Sequence, residues 1–237
     1  MQTMTRNFTR AGIVAVIAAV ALSGCQSGAP DAASPLSTAT SVPTSSAPAV
    51  DPLTTVTSLT VGPEALLLQG DTDAASVTLS YNDPVDAVVA DLSVAFGADP
   101  VVDKHDGGLE SPPGVGYLWE GFLLNDFLPA EGYFPEYANF SVSVTAPTTG
   151  EVALTSPGGF AIGDDLRAAA TTLGVTVDTT FESVGSIFYF ELGPELDTSP
   201  GENTSYPNAF AVSVTASTAT GAIDSIRSSG NPSFWVH

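Results

Sequence analysis

Few side chains in this 237-residue chain can do covalent or metal chemistry: one cysteine, Cys25, and two histidines, His105 and His237. A nucleophile–histidine–acid triad needs a histidine held beside its partners. His237 is the last residue, where chain ends are poorly held. His105 lies in Asp103-Lys-His-Asp-Gly-Gly108, a polar segment that reads as a solvated turn. Zinc, which takes four nitrogen, sulfur or carboxylate ligands, is poorly served by the same set. Carboxylates are plentiful, and two of them at a fixed separation can hydrolyse a glycosidic bond. Nothing in the spacing selects Glu120 and Asp126 over Glu131 and Glu136. The couples Asp71/Asp73, Asp83/Asp86 and Asp164/Asp165 lack the oxygen ladder and glycine turn of a calcium loop. Gly107-Gly108, Pro112-Pro113-Gly114 and Gly158-Gly159 lack the strand–turn–helix order of a phosphate cradle. The expectation is a protein with no catalytic residue, no metal site and no cofactor.

Cys25 has a different setting. Arg6 and Arg10 precede an unbroken apolar run, Ile13 to Leu22, and Ser23 and Gly24 close it with small residues. That is the order of a secretory signal, with a core too short for a permanent spanning helix. The tetrapeptide Leu22-Ser23-Gly24-Cys25 resembles the lipobox of bacterial lipoproteins. The resemblance implies that the Cys25 thiol receives a diacylglyceryl group, that residues 1–24 are removed as a signal peptide, and that Cys25 becomes the mature N-terminus. A lone exported thiol would otherwise be a reactive leftover. Acyl chains on it hold a protein to the outer face of the cell membrane, each buried methylene contributing about 0.8 kcal/mol.

From Cys25 to Thr57 the chain is nearly all Ser, Thr, Ala, Pro, Gly and Val, with Asp31 and Asp51 the only charges. Without aromatics or apolar periodicity, such a stretch buries too little to offset the entropy of ordering. It predicts a disordered tether, roughly 30 Å end to end as a coil and about 100 Å drawn out. Beyond the leader the acids number 26, against Lys104, Arg167 and Arg227 as the only bases. This balance argues against nucleic acid and anionic head groups as partners. An acidic solvated surface is the expected consequence.

Residues 58–237 carry the folded part. Asn82-Asp83-Pro84 followed by Val85, Val88, Val89, Leu92 and Phe96 predicts an amphipathic helix, with Asp83 as its side-chain cap, Pro84 in the first turn, and Gly97 as its stop. A shorter helix is predicted after Asp164, with Leu166, Ala169, Ala170 and Leu173 on one stripe and Gly174 at the end. Phe140–Ala146 matches Phe210–Ala216 at six of seven positions. Two matches in the same order argue for an internal duplication. Strands are expected at Val77–Tyr81, Tyr117–Leu124, Phe140–Ala146 and Glu151–Thr155, then at Val175–Phe181, Ser186–Leu192, Phe210–Ala216 and Ile223–Ser228. The fold class is therefore α+β, two tandem repeats (58–157 and 158–237), each one helix on an antiparallel sheet.

The capped helix ending Phe96-Gly-Ala-Asp-Pro100, followed by a strand with Tyr117 and Trp119, is similar to modules of the β-lactamase inhibitor protein fold and of outer-membrane assembly lipoproteins. It resembles more closely the secreted proteins and lipoproteins of actinobacteria, in which a second unit opens as Gly159-Phe-Ala-Ile-Gly-Asp164 does here. Asn82 stands where a glycine often precedes the first helix, and the domain lacks the disulfide of some relatives. The resemblance supplies no functional residue. It adds an envelope inhibitor, beside a carboxylate-dependent hydrolase, as the alternative to a non-catalytic binding or scaffold module.

Tyr117 to Tyr137 holds seven aromatics. Trp119, Tyr133, Phe134 and Tyr137 form a candidate binding surface for an envelope protein or cell-wall component, since aromatics dominate recognition hot spots. The competing reading puts Tyr117, Trp119 and Phe122 in the core.

Overall fold

Pro84 and Gly97 bracket the first helix, α1 (Val85–Phe96), in the computed structural model of the chain, which describes residues 50–70, 76–107, 113–127, 138–196, 208–230 and 232. The Pro84 carbonyl accepts the N–H groups of Ala87 and Val88 and so starts the helical ladder. Asp83 does not cap it, contrary to the sequence reading. With Pro84 at the boundary the helix begins one residue later, and the Asp83 carboxylate turns back to accept the Ser80 N–H at 2.8 Å. At the other end Gly97 takes the left-handed conformation, φ 68°, and returns its N–H to Val94. The second helix, α2 (Leu166–Leu173), is capped by Asp165, whose Oδ1 accepts the Ala168 N–H at 2.7 Å. Asp164, the expected cap, closes the preceding turn instead by accepting the Ala161 N–H. The stripes Val88, Leu92, Phe96 and Leu166, Ala169, Ala170 are buried, as their spacing predicts.

The described strands are β1 (Val56–Val61), β2 (Ala65–Gly70), β3 (Ser76–Ser80), β4 (Val101–His105), β5 (Gly114–Trp119) and β6 (Phe122–Phe127), followed by β7 (Phe140–Val144), β8 (Thr148–Thr149), β9 (Val152–Thr155), β10 (Ser186–Glu195), β11 (Ala209–Ser217) and β12 (Ile223–Gly230). They form a five-stranded sheet in the order β3-β2-β1-β9-β8 and a seven-stranded sheet in the order β4-β5-β6-β7-β12-β11-β10. Every pair in the larger sheet is antiparallel; in the smaller one β1 and β9 run parallel. The fold is α+β. One buried cluster joins Leu59 and Leu66 of the small sheet, Leu92 and Phe96 of α1, Phe122, Phe140 and Val214 of the large sheet, and Leu166 of α2.

Several sequence expectations move. Asp51 accepts the Leu53 N–H at 3.0 Å and caps a 3-10 turn, Pro52–Thr55, that buries Leu53. The folded domain therefore starts before Ser58, and Pro48–His237 forms one compact unit. The strand expected over Tyr117–Leu124 is a hairpin: Glu120-Gly121 turns the chain, with Gly121 at φ 74°, and Trp119 pairs with Phe122. His105 belongs to the exposed edge strand β4 and not to a turn. Residues 175–181 contribute a single bridge, Asp178 to Phe188, in place of a strand. The two segments that match at six of seven positions lie in and after β7 and in β11, with β12 between the two strands. Cys25, the leader and the tether to residue 49 lie outside the described residues, as do Tyr133, Phe134, Tyr137, Glu131 and Glu136.

Candidate functional site

Alternation along each central strand sends one set of side chains to the core and the other to the opposite face of the large sheet. On β6, Phe122 and Leu124 are buried while Leu123 and Asn125 point away. On β7, Phe140, Val142 and Val144 are buried and Ser141 and Ser143 point away. The same division puts Ala211, Ser213 and Thr215 of β11 on the outer face, with Arg227 of β12 and Ser186, Phe188 and Phe190 of β10. Together these residues line a trough of about 660 Å³ that crosses five strands.

The pairing register sets its centre. Arg227 stands opposite Ser143 of β7 on one side and Ser213 of β11 on the other, so a guanidinium is flanked by two hydroxyl groups in one row. Its Nε donates to Ser225 Oγ at 3.0 Å, which orients the group, and the side chain remains exposed. Ser213, only 7% exposed, forms part of the floor. At the β10 end, the ring of Phe188 meets those of Phe190 and Phe181 at centroid distances of 5.2 and 6.1 Å. Among the described lining residues there is no acid, although acids exceed bases 26 to 5 in the whole chain. Of the domain's three bases, Arg167 pairs with Glu182 at 3.7 Å, Lys104 lies on the exposed edge strand, and Arg227 occupies the trough.

Trp119, expected as a candidate contact residue, is 4% exposed and faces the core. Its ring stands edge-on to Phe96 and Phe122, and its Nε1 donates to the Ala98 carbonyl at 2.9 Å. A buried indole whose donor is satisfied is a packing residue.

Two carboxyls with raised proton affinity lie on the core-facing side. Burial, then the neighbouring Asp86 carboxylate, pushes Asp126 of β6 above its ordinary value. Burial also raises Glu191 of β10, opposed by the Gly158 N–H at 2.6 Å and the Tyr189 hydroxyl at 3.5 Å. The strands that carry them are four spacings apart in the sheet, about 19 Å. A pair of glycosidase carboxylates works at roughly 5 to 9.5 Å, so these two do not act jointly. Glu120, in the hairpin turn, is exposed. Among the described residues no three His, Cys, Asp or Glu side chains gather as a metal site.

Glu191 gives a pH prediction. A carboxyl whose affinity is raised on folding favours the folded state most when protonated, so its contribution is present below the ordinary glutamate value and is lost as pH rises through the raised one. Glu191→Gln keeps an acceptor for Gly158 without the charge. The expected result is a smaller loss of urea midpoint between pH 5 and pH 7.5 than in the parent chain. A midpoint lowered more at pH 7.5 than at pH 5 would contradict it.

The trough was not among the sequence-derived candidates. The one available signal was that outward positions of β7, β11 and β12 are serine, threonine and arginine in a chain otherwise rich in acids. No protein-family model, curated protein sequence or solved structure matches this chain.

Proposed function

We propose that the protein is an extracytoplasmic lipoprotein, held to the outer face of the cell membrane by lipid on Cys25, whose folded domain is a non-catalytic binding or scaffold module. The observation that carries the binding part is the trough: an open concavity with a central arginine, an aromatic end and no acid among its described lining residues, a composition typical of recognition surfaces. The partner is an envelope protein or cell-wall component, and nucleic acid is disfavoured by the net charge. The anchoring part rests on Leu22-Ser23-Gly24-Cys25 and the apolar run before it. No described helix is long and apolar enough to cross a membrane. An inhibitor that clasps an envelope enzyme is the second reading, favoured by the same open face. We also read the domain as two copies of a helix-plus-meander unit. Supporting this are the mirrored strand order about the β7–β12 pair and the left-handed glycine that ends each helix.

Binding is tested by filling the trough. Ser143 is half-buried on a central strand and points outward, so Ser143→Trp places an indole in the concavity without entering the core. Full-length chain should capture an envelope component that the variant does not. Equal capture by both would remove the trough as the binding face. Anchoring is tested by mass spectrometry of the mature N-terminus from native membranes. The expected terminus is a diacylglyceryl-modified Cys25 followed by Gln26, and Cys25→Ala should abolish both lipid and cleavage. An unmodified terminus elsewhere would refute the anchor.

A further inference from the structure

We propose that Glu191 of β10 is a pH-operated latch on the loop Ser156–Phe160, which leads from β9 of the small sheet toward α2: a protonated carboxyl holds the loop against β10, and an ionised one releases it. The loop closes on itself, the Ser156 N–H donating to the Phe160 carbonyl and the Gly159 N–H to that of Ser156, each at 2.9 Å. Gly159 takes the left-handed conformation there, φ 81°. Contact with β10 is made by the Gly158 N–H, which donates to Glu191 Oε2 at 2.6 Å. Gly158 also rests on Leu173 of α2, so closely that a Cβ would lie 3.0 Å from both Leu173 methyl carbons and 3.1 Å from Glu191 Oε2.

The closed loop houses an acid better than an anion. A buried carboxylate is compensated when two or three donors reach it. Here Gly158 reaches it at short range and the Tyr189 hydroxyl stands off at 3.5 Å. Ser156 Oγ, fully buried beside both side chains, completes a hydrogen bond to neither. A protonated Glu191 can donate to that Ser156 oxygen and still accept from Gly158; an ionised one keeps a single close donor. The groups around it are Tyr189 on its own strand, Val212 opposite on β11, Ser156 and Gly158 in the loop, Leu173 on α2, and Asp164 before α2, whose charge bears on Tyr189. None is a cation. Burial, then the Glu191 charge, keeps the Tyr189 hydroxyl protonated, so it remains a donor throughout. Burial is also the largest influence on Glu191 and raises its proton affinity in the closed form. Tyr189 lines an open concavity of about 560 Å³ between residues 175–179 and β10, so solvent is one side chain from the carboxyl once the loop lifts. Closure is therefore favoured most below the ordinary glutamate value. Opening increases as pH rises from that value to the raised one, and levels off above it.

The test is native-state amide hydrogen exchange of the full-length chain in detergent, corrected for the intrinsic pH dependence of exchange. Protection of the Gly158 amide should fall at least about threefold between pH 4.5 and pH 7.5. At each pH it should stay below that of Val214, whose strand β11 is paired on both sides. It should also be insensitive to dilute urea, because a local opening exposes little surface. Glu191→Gln keeps an acceptor for Gly158 and a donor for Ser156 without the charge, and should hold Gly158 protection within about twofold over the same range. The NMR shift of the Glu191 carboxyl carbon in the parent chain supplies a check that needs no variant. Its midpoint should lie above the ordinary glutamate value, at the upper end of the interval over which protection falls. Gly158 protection that is flat with pH, that falls equally in Glu191→Gln, or that equals Val214 protection in size and urea slope would overturn the latch. So would a carboxyl midpoint at the ordinary value.

Discussion

Phe122→Ala is expected to lower the unfolding free energy by about 3–5 kcal/mol, a large part of the roughly 5–15 kcal/mol a domain commands. The Phe122 ring is fully buried and lies 5.3 Å from the Phe96 ring and 5.9 Å from that of Trp119. Removing it deletes transfer free energy, leaves a cavity between α1 and the hairpin, and breaks two edge-on aromatic contacts worth about 0.5–1.5 kcal/mol each. The backbone on both sides is fixed by strand pairing, so collapse around the gap is restricted. Urea denaturation at constant pH is the measurement. Phe122→Leu, which keeps most of the volume, should cost about 1 kcal/mol. A loss below about 1 kcal/mol for the alanine variant would show that this cluster is not the keystone of the core.

The second large effect belongs to Gly121. Its φ of 74° is a conformation that other L residues adopt only with strain of about 1–2 kcal/mol. A Cβ there would also fall 2.2 Å from Ala146 Cβ and 3.1 Å from its backbone nitrogen. Backbone cannot yield cheaply, and overpacking of this kind costs about 1–3 kcal/mol more. Gly97 provides the control, since it shares the left-handed conformation, φ 68°, with nothing within 4 Å of a Cβ. Gly121→Ala should therefore destabilise by about 2–5 kcal/mol, and Gly97→Ala by only the strain component. Equal losses would mean that the Ala146 segment moves aside freely.

These two sites also mark what the sequence could disclose. Helices were legible because Pro84, Gly97 and Gly174 act locally: each sets the backbone of its own residue, and the apolar stripes follow from spacing alone. The turn at Glu120-Gly121 was absorbed into a single strand because Tyr117, Trp119, Phe122 and Leu124 read as one apolar segment. A glycine within such a run is compatible with both a bulge and a hairpin. The six-of-seven match speaks in another way: Phe-x-Val-Ser-Val describes any strand with one buried face, so it says that β7 and β11 are such strands and not where each lies in the sheet. Asp83 and Asp165 show the limit of capping signals, because two adjacent acids, or an acid beside a proline, leave the boundary ambiguous by one residue. The trough was illegible for a deeper reason. Serines and one arginine at alternate positions look like an ordinary solvent face. Only long-range pairing brings Ser143 into one row with Ser213 and Arg227, which lie about seventy and eighty-four residues further along the chain.

The position of β12 has a consequence for the order of assembly. It is the last strand described in the chain and yet an interior one, third of seven from the β10 end, and it carries Arg227. Synthesis runs from the N-terminus, so β4 to β7 are made first and wait with the β7 edge unpaired; β10 and β11 follow with nothing to join them to it. Such an edge is a template for wrong pairing until its partner arrives. Maturation of the sheet thus waits for β12 to be made. Loss of the chain from Ile223 onward would remove β12, and with it the seam that makes two half-sheets one.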